Sequence, residues 1–198
     1  MTAMLRLLAS LAAAGVIVPT AAAASEPQRA AAADTAALEF GGFRAGARLD
    51  EIDALVRRRE GNLRCDRARA DRRVTECRGR FLDSDSGEAV TLWISAIDSV
   101  AGIITLRAET PGDRLDRWRD GIVARYGKVG ARAQGTQWMM QWVRRGRMLR
   151  LTWREERGGR VASVSLVDGR VLDGWGRDRA RTKLVSRDSL PNQRADSL

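Results

Sequence analysis

Histidine is absent from all 198 residues. Without it there is no Ser-His or Cys-His nucleophilic pair, no imidazole acid–base catalyst and almost no way to build a catalytic zinc site. Cysteine is nearly absent: the chain carries only Cys65 and Cys77, too few for a thiolate metal site and not spaced as C-x-x-C. Lysine occurs only at Lys128 and Lys183. No G-x-S-x-G elbow, no phosphate-binding G-x-x-x-x-G-K-[ST] and no G-x-G-x-x-G after a strand is present. The carboxylates sit mainly in first helical turns and loops, where capping and solvation account for them. The sequence therefore predicts a non-catalytic protein with no cofactor and no metal.

Long apolar runs are missing too, with one exception at the start. Arg6 is the only charge before Ser25, Leu7 to Val18 is apolar, and Ala22-Ala23-Ala24 supplies the small residues of a cleavage site. That run is too short for a membrane span of roughly 20 residues. The expectation is a signal peptide over residues 1–24, cleaved before Ser25, with retention as an N-terminal anchor the alternative. No cysteine stands there to take a lipid. The mature chain is then periplasmic or secreted and without a transmembrane span. Residues 25–38 are Ala-rich with no apolar stripe and read as a flexible tether. Residues 176–198 are polar and charged without a sustained period, the composition of a disordered basic tail.

Charge is lopsided. The formal total is +10. Ser25 to Gly112 has 14 basic and 15 acidic residues, a net of −1, whereas Asp113 to Trp175 has 14 and 7, a net of +7. A field of this kind favours an anionic partner. A codon bias toward arginine and alanine would give the same composition, with the guanidinium groups merely solvating the surface.

Between the ends the pattern is α+β. Phe40-Gly-Gly-Phe43 reads as a lead-in strand or turn that lays two aromatics on the core. Leu49, Ile52, Leu55 and Val56 share one face at helical spacing, with carboxylates in the first turn, arginines in the last and Gly61 as the stop. Leu63–Ala68 and Val74–Phe81 read as hairpin arms that bring Cys65 opposite Cys77, and in an exported chain those two form a disulfide. Asp83-Ser-Asp-Ser-Gly-Glu88 has the opening of a calcium loop but lacks its third aspartate and distant bidentate glutamate, so it reads as a polar turn. Ala89–Ile97 and Val100–Arg107 flank a two-residue turn at Asp98-Ser99. Simple alternation puts Trp93, Ile97, Val100 and Ile104 on one face and Leu92, Ile94, Ala101 and Ile103 on the other, as in a strand pair buried on both sides.

From Asp113 a second helix runs to Tyr126, with Asp113 as N-cap, a stripe of Leu115, Trp118, Ile122 and Tyr126, and Gly127 as the stop. Gly121 in mid-helix suggests a close neighbour. Three strands follow, carrying Trp138–Trp142, Leu149–Trp153 and Val161–Leu166. A tight turn at Arg145-Gly146 pairs Trp142 with Leu149, Met140 with Leu151 and Trp138 with Trp153, all apolar on a face committed to the core. The other face pairs Val143 with Met148, Gln141 with Arg150, Met139 with Thr152 and Gln137 with Arg154. A one-residue slip would destroy that segregation. The next turn, near Arg157-Gly158-Gly159, leaves two or four loop residues open.

Arg48-Leu-Asp50 and Arg114-Leu-Asp116 open the two helices alike, and antiparallel strands follow each. The fold expected is therefore two tandem units of one helix on an antiparallel meander, residues 39–110 and 111–175, with their sheets side by side. Over about Gly42 to Val171 this pattern resembles the tandem helix–strand repeat of the beta-lactamase inhibitory protein. It also resembles the small envelope lipoproteins of the outer-membrane assembly machinery, without their lipid-bearing cysteine. The Tyr126-Gly-Lys128 helix end before Trp-bearing strands is similar to other exported bacterial domains. The resemblance implies an inhibitor or an adaptor and carries over no site residue.

The function expected is thus an envelope binding or adaptor domain for an anionic component or a protein; nucleic acid is chemically compatible but not expected in that compartment. An inhibitor of an exported enzyme is the alternative, and a histidine-free hydrolase the third reading. Arg150, Arg154, Gln137 and Gln141 on the outer face of the second meander, with Arg144, Arg145 and Arg147 at the rim of its turn, are the candidate binding residues. Guanidinium groups on a rigid sheet grip carboxylates or phosphates bidentately.

Overall fold

The computed structural model describes residues 37–156 and 159–188, with side chains as far as Arg181. The expected signal peptide, nearly all of the tether and the last ten residues lie outside them. The described residues belong to one compact unit.

The lead-in segment is a two-stranded hairpin, β1 (Glu39–Phe40) and β2 (Phe43–Arg44). Its turn is Gly41-Gly42, both at positive φ, a conformation that glycine adopts without a Cβ clash. Helix α1 (Leu49–Arg57) follows, then β3 (Asn62–Arg67), β4 (Val74–Leu82), β5 (Ala89–Ile97) and β6 (Val100–Glu109). Helix α2 (Arg114–Tyr126) precedes β7 (Arg132–Gln134), β8 (Gln137–Arg144), β9 (Arg147–Glu156) and β10 (Gly159–Asp168), and α3 (Gly169–Asp188) closes the order. The sheet is antiparallel throughout and has eight strands in the order β3-β4-β5-β6-β10-β9-β8-β7. Each half supplies a helix and four strands, and the last strand of each, β6 and β10, meet in the middle. The tandem architecture is therefore present and the two sheets are one.

Register matches the reading of the second meander residue for residue, from Gln137 opposite Arg154 to Val143 opposite Met148. Gly159 pairs with Glu156, so only residues 157 and 158, outside the described set, remain for that loop. A short strand, β7, was not anticipated; it supplies the fourth strand of the second half. Asp98 and Ser99 both take positive φ and form the expected two-residue turn.

One face of this sheet is the core. Leu92 pairs with Leu106, Leu106 with Val164, Val164 with Leu151 and Leu151 with Met140, a continuous apolar row across five strands. Ile52 and Val56 of α1 and Leu115, Trp118 and Ile122 of α2 join the same cluster. Phe40 meets Trp118 edge-on at 5.0 Å, and Tyr126 Oη both accepts from Glu39 N and donates to Glu39 O, so the first hairpin is fastened to α2. Cys65 and Cys77 pair across β3 and β4 and are disulfide-bonded.

Five expectations need correction. Strand β6 is irregular between the partners of Ser95 and Ala96: Ala101 pairs with Ala96 but Ile103 with Ser95. That bulge at Gly102 turns Ile104, not Ile103, onto the face of Ile94, because an extra residue reverses the alternation beyond it. Asp113 flanks α2 but makes no capping bond; its carboxylate holds Arg117. Gly121 has no close neighbour, since a Cβ there would meet nothing within 4 Å. Trp138 is 49% exposed instead of committed to the core. It sits on β8 beside the short edge strand β7, which extends the sheet there by only three residues.

The fifth concerns the tail. Residues 176–188, expected to be disordered, continue the helix α3 that begins at Gly169. This helix crosses the end of the sheet where β6 starts and β10 finishes. Val171 and Leu172 pack on Gly102, where a Cβ would come within 2.8 Å of Leu172. Trp175 Nε1 donates to Asp71 at 2.9 Å, and Arg73 bridges Asp98 and Asp178. Gly169 N donates to Gly146 O at 2.8 Å, so the helix also caps the β8–β9 turn.

Candidate functional site: the outer face of the sheet

Alternation along each strand gives the face opposite the core, and the register aligns it into rows. One row reads Arg64, Arg78, Trp93, Thr105, Ser165, Arg150 and Gln141 from β3 to β8. The next reads Asn62, Arg80, Thr91, Arg107, Ser163, Thr152, Met139 and Arg132. Beyond it Val161, Arg154 and Gln137 line up with Glu109. The central strands fill this face with hydroxyls: Thr105 is hydrogen-bonded to Ser165 at 3.2 Å and Thr152 to Ser163 at 2.7 Å. Arginines stand on both sides of that hydroxyl strip.

The seven residues singled out from the sequence do not stay together. Gln137, Gln141, Arg150 and Arg154 share the outer face. Arg150 donates from Nε and Nη2 to Gln141 Oε1, and Arg154 is held by Glu156, which also takes Arg107 at 3.2 Å. Arg144 and Arg147 turn to the core side instead. Arg144 Nη2 donates to Tyr126 O at 2.8 Å and stacks on that ring, tying β8 to the end of α2. Arg147 is bonded to Asp168, a carboxylate only 1% exposed that Arg170 grips as well. Arg145 occupies the turn at positive φ. The rim arginines thus divide between fold and surface, because Arg144 and Arg147 are one residue out of step with Val143 and Met148.

The Asp168 carboxylate is held ionised. Burial works to raise its pKa, yet bonds from Arg170 and Arg147 outweigh that and hold it down at about 2. The acidic loop after β4 is likewise answered by a cation of the chain itself. Arg114, 2% exposed, gives Nη2 to Asp83 at 3.1 Å and Nη1 to Glu88 at 2.6 Å. Two of the three carboxylates of that loop, Asp83 and Glu88, are thus bound to a guanidinium. Among the described residues no group of three acidic or sulfur side chains could hold a metal.

A cluster of guanidinium groups without a carboxylate partner lies on the other side of the sheet. Arg64 stands directly across from Arg78, Arg80 is two residues along, and none of the three makes an ion pair among the described residues. Like charges directly opposite on neighbouring strands destabilise the pair. The next cross-strand pair, Asp66 and Glu76, is also like-charged and forms no ion pair with them. Half-buried Trp93 adjoins Arg78 on β5. Segmental charge counting missed this patch because its half of the chain is nearly neutral in total. The signal was legible only as an alternation: Arg64, Arg78 and Arg80 recur at even spacing on two strands that a disulfide puts in register.

No family model, curated protein or solved structure matches this chain.

Proposed function

We propose that this is an exported, non-catalytic binding domain that presents the outer face of its sheet to an anionic envelope surface. The observation that carries the reading is the Arg64–Arg78–Arg80 patch: three guanidinium groups on rigid, disulfide-linked strands, two of them directly opposed, and none of them in an ion pair among the described residues. An arriving phosphate or carboxylate relieves that repulsion, and a guanidinium offers it paired donors. Arg107, Arg150 and Arg154 extend the face across the sheet, and the Ser and Thr hydroxyls between them supply neutral donors. A non-catalytic role fits the least exposed carboxylates, since buried Asp168 and half-buried Asp83 are spent on arginines. The disulfide suits an oxidising compartment. No helix among the described residues is long and apolar enough to cross a membrane.

Co-sedimentation with phosphatidylglycerol vesicles tests this. Binding is expected at low salt, absent with purely zwitterionic vesicles and weakened as salt rises. Each arginine at an anionic surface contributes about 1 kcal/mol, so the pair Arg64→Gln/Arg78→Gln should lose roughly 30-fold in affinity. Equal binding to zwitterionic vesicles would sink the proposal.

A further inference from the structure

The helical side of the molecule holds a separate feature. Between α2, the β1–β2 hairpin and the loop after β4 lies a cleft of about 250 Å³. Its floor is apolar: Phe81, Val90, Leu106, Trp118 and Ile122. Gly121 lines it from mid-helix, where a Cβ would touch nothing within 4 Å. A glycine inside a helix is destabilising relative to alanine. No packing demand explains this one, and its effect is to keep the cleft open.

Four arginines line the cleft, and three are committed. Arg114 holds Asp83 and Glu88, Arg117 holds Asp113, and Arg125 holds Glu39 at 2.6 Å. Arg59 is different. Its guanidinium lies over Phe43 and Phe81, 5.6 and 5.4 Å from their centroids, and it has no carboxylate partner among the described residues. Half-buried against two rings, it is a poorly hydrated cation beside an apolar cavity. Of the carboxylates in the lining, Glu39 and Asp83 are neutralised while the Asp85 carboxylate accepts only from the Ser84 hydroxyl. That residual negative charge argues against a doubly charged head group.

We infer that this cleft binds a single-chain carboxylate, with its anionic head on Arg59 and its apolar body on the Phe81–Trp118–Ile122 floor beside Gly121. At roughly 30 Å³ per water-sized heavy atom the cleft accepts about eight such atoms, the body of a medium-chain acid. A burial gain near 0.8 kcal/mol per methylene makes each added carbon about fourfold tighter until the cleft is full. This site is on the opposite face of the sheet from the arginine patch and does not depend on the vesicle reading.

Isothermal titration of the full mature chain with octanoate, below micelle formation, tests the inference. Saturable binding at one site is expected, about 15-fold tighter than hexanoate, with the gain per carbon lost by dodecanoate. Octylammonium should not bind. Arg59→Gln should weaken octanoate about tenfold or more. Gly121→Leu, which favours the helix while filling the cleft, should abolish binding with the circular dichroism spectrum preserved and the melting temperature no lower than that of the wild type. Absence of octanoate binding, equal binding of octylammonium, or unchanged binding by folded Gly121→Leu would each overturn it.

Discussion

Asp168 joins three parts of the molecule: the end of β10, the β8–β9 hairpin through Arg147 and the start of α3 through Arg170. It also abuts Gly46, whose φ of +88° and whose absent Cβ, 2.7 Å from Asp168 Oδ2, leave room for no other residue. Removing one partner of a buried ion pair strands the other, so Asp168→Asn should destabilise the fold by about 3 kcal/mol in a urea titration. A depressed carboxylate pKa contributes stability that is present above its unfolded value of 3.8 and is lost as pH falls through about 2. That window is worth about 2 kcal/mol in the wild type and should vanish from the acid titration of Asp168→Asn. Gly121 makes the opposite prediction. Gly121→Ala should raise stability by up to about 1 kcal/mol, read as a higher melting temperature, because nothing stands where the methyl would go.

The β3–β4 hairpin is the element on which the proposed surface depends. Its closure by Cys65 and Cys77 spans a separation of 12 residues, and a loop that short contributes about 3 kcal/mol on the chain-entropy account. Cys65→Ser/Cys77→Ser should therefore lower the denaturant stability by that amount and, by loosening the strands that fix Arg64 and Arg78, reduce vesicle binding as well. The β8–β9 pair was legible in full because alternation of Trp, Met and Leu against Gln and Arg admits one register. The β5–β6 pair was legible only as far as its turn. A bulge leaves no mark in hydropathy when both faces are apolar, and Gly102 was its sole sign. Helix α3 was not legible at all, for a different reason. Its anchors to the sheet, Leu172, Trp175 and Asp178, are sparse among arginines, and tertiary contacts with Gly102, Asp71 and Arg73 hold it where local pattern does not.

At the scale of the whole molecule, two faces of one sheet divide the work. The face under α1 and α2 is core, and the other is a field of arginines and hydroxyls. Summing charge along the chain located the excess in the second half. Folding redistributes it, since several of those arginines are engaged by Asp168, Tyr126 and Glu156 while the near-neutral first half presents the unpaired cluster at Arg64, Arg78 and Arg80. A chain with a sequence pI near 11.2 will adhere weakly to any anionic surface, so net charge has to be separated from the patch. The decisive comparison sets Arg64→Gln/Arg78→Gln on the outer face against Arg58→Gln/Arg119→Gln, at the end of α1 and on α2, two variants that remove the same formal charge. Their affinities for phosphatidylglycerol vesicles are measured at one ionic strength. The account predicts a loss of roughly 30-fold for the first and only a few-fold for the second; equal losses would mean that the sheet face has no role beyond its charge.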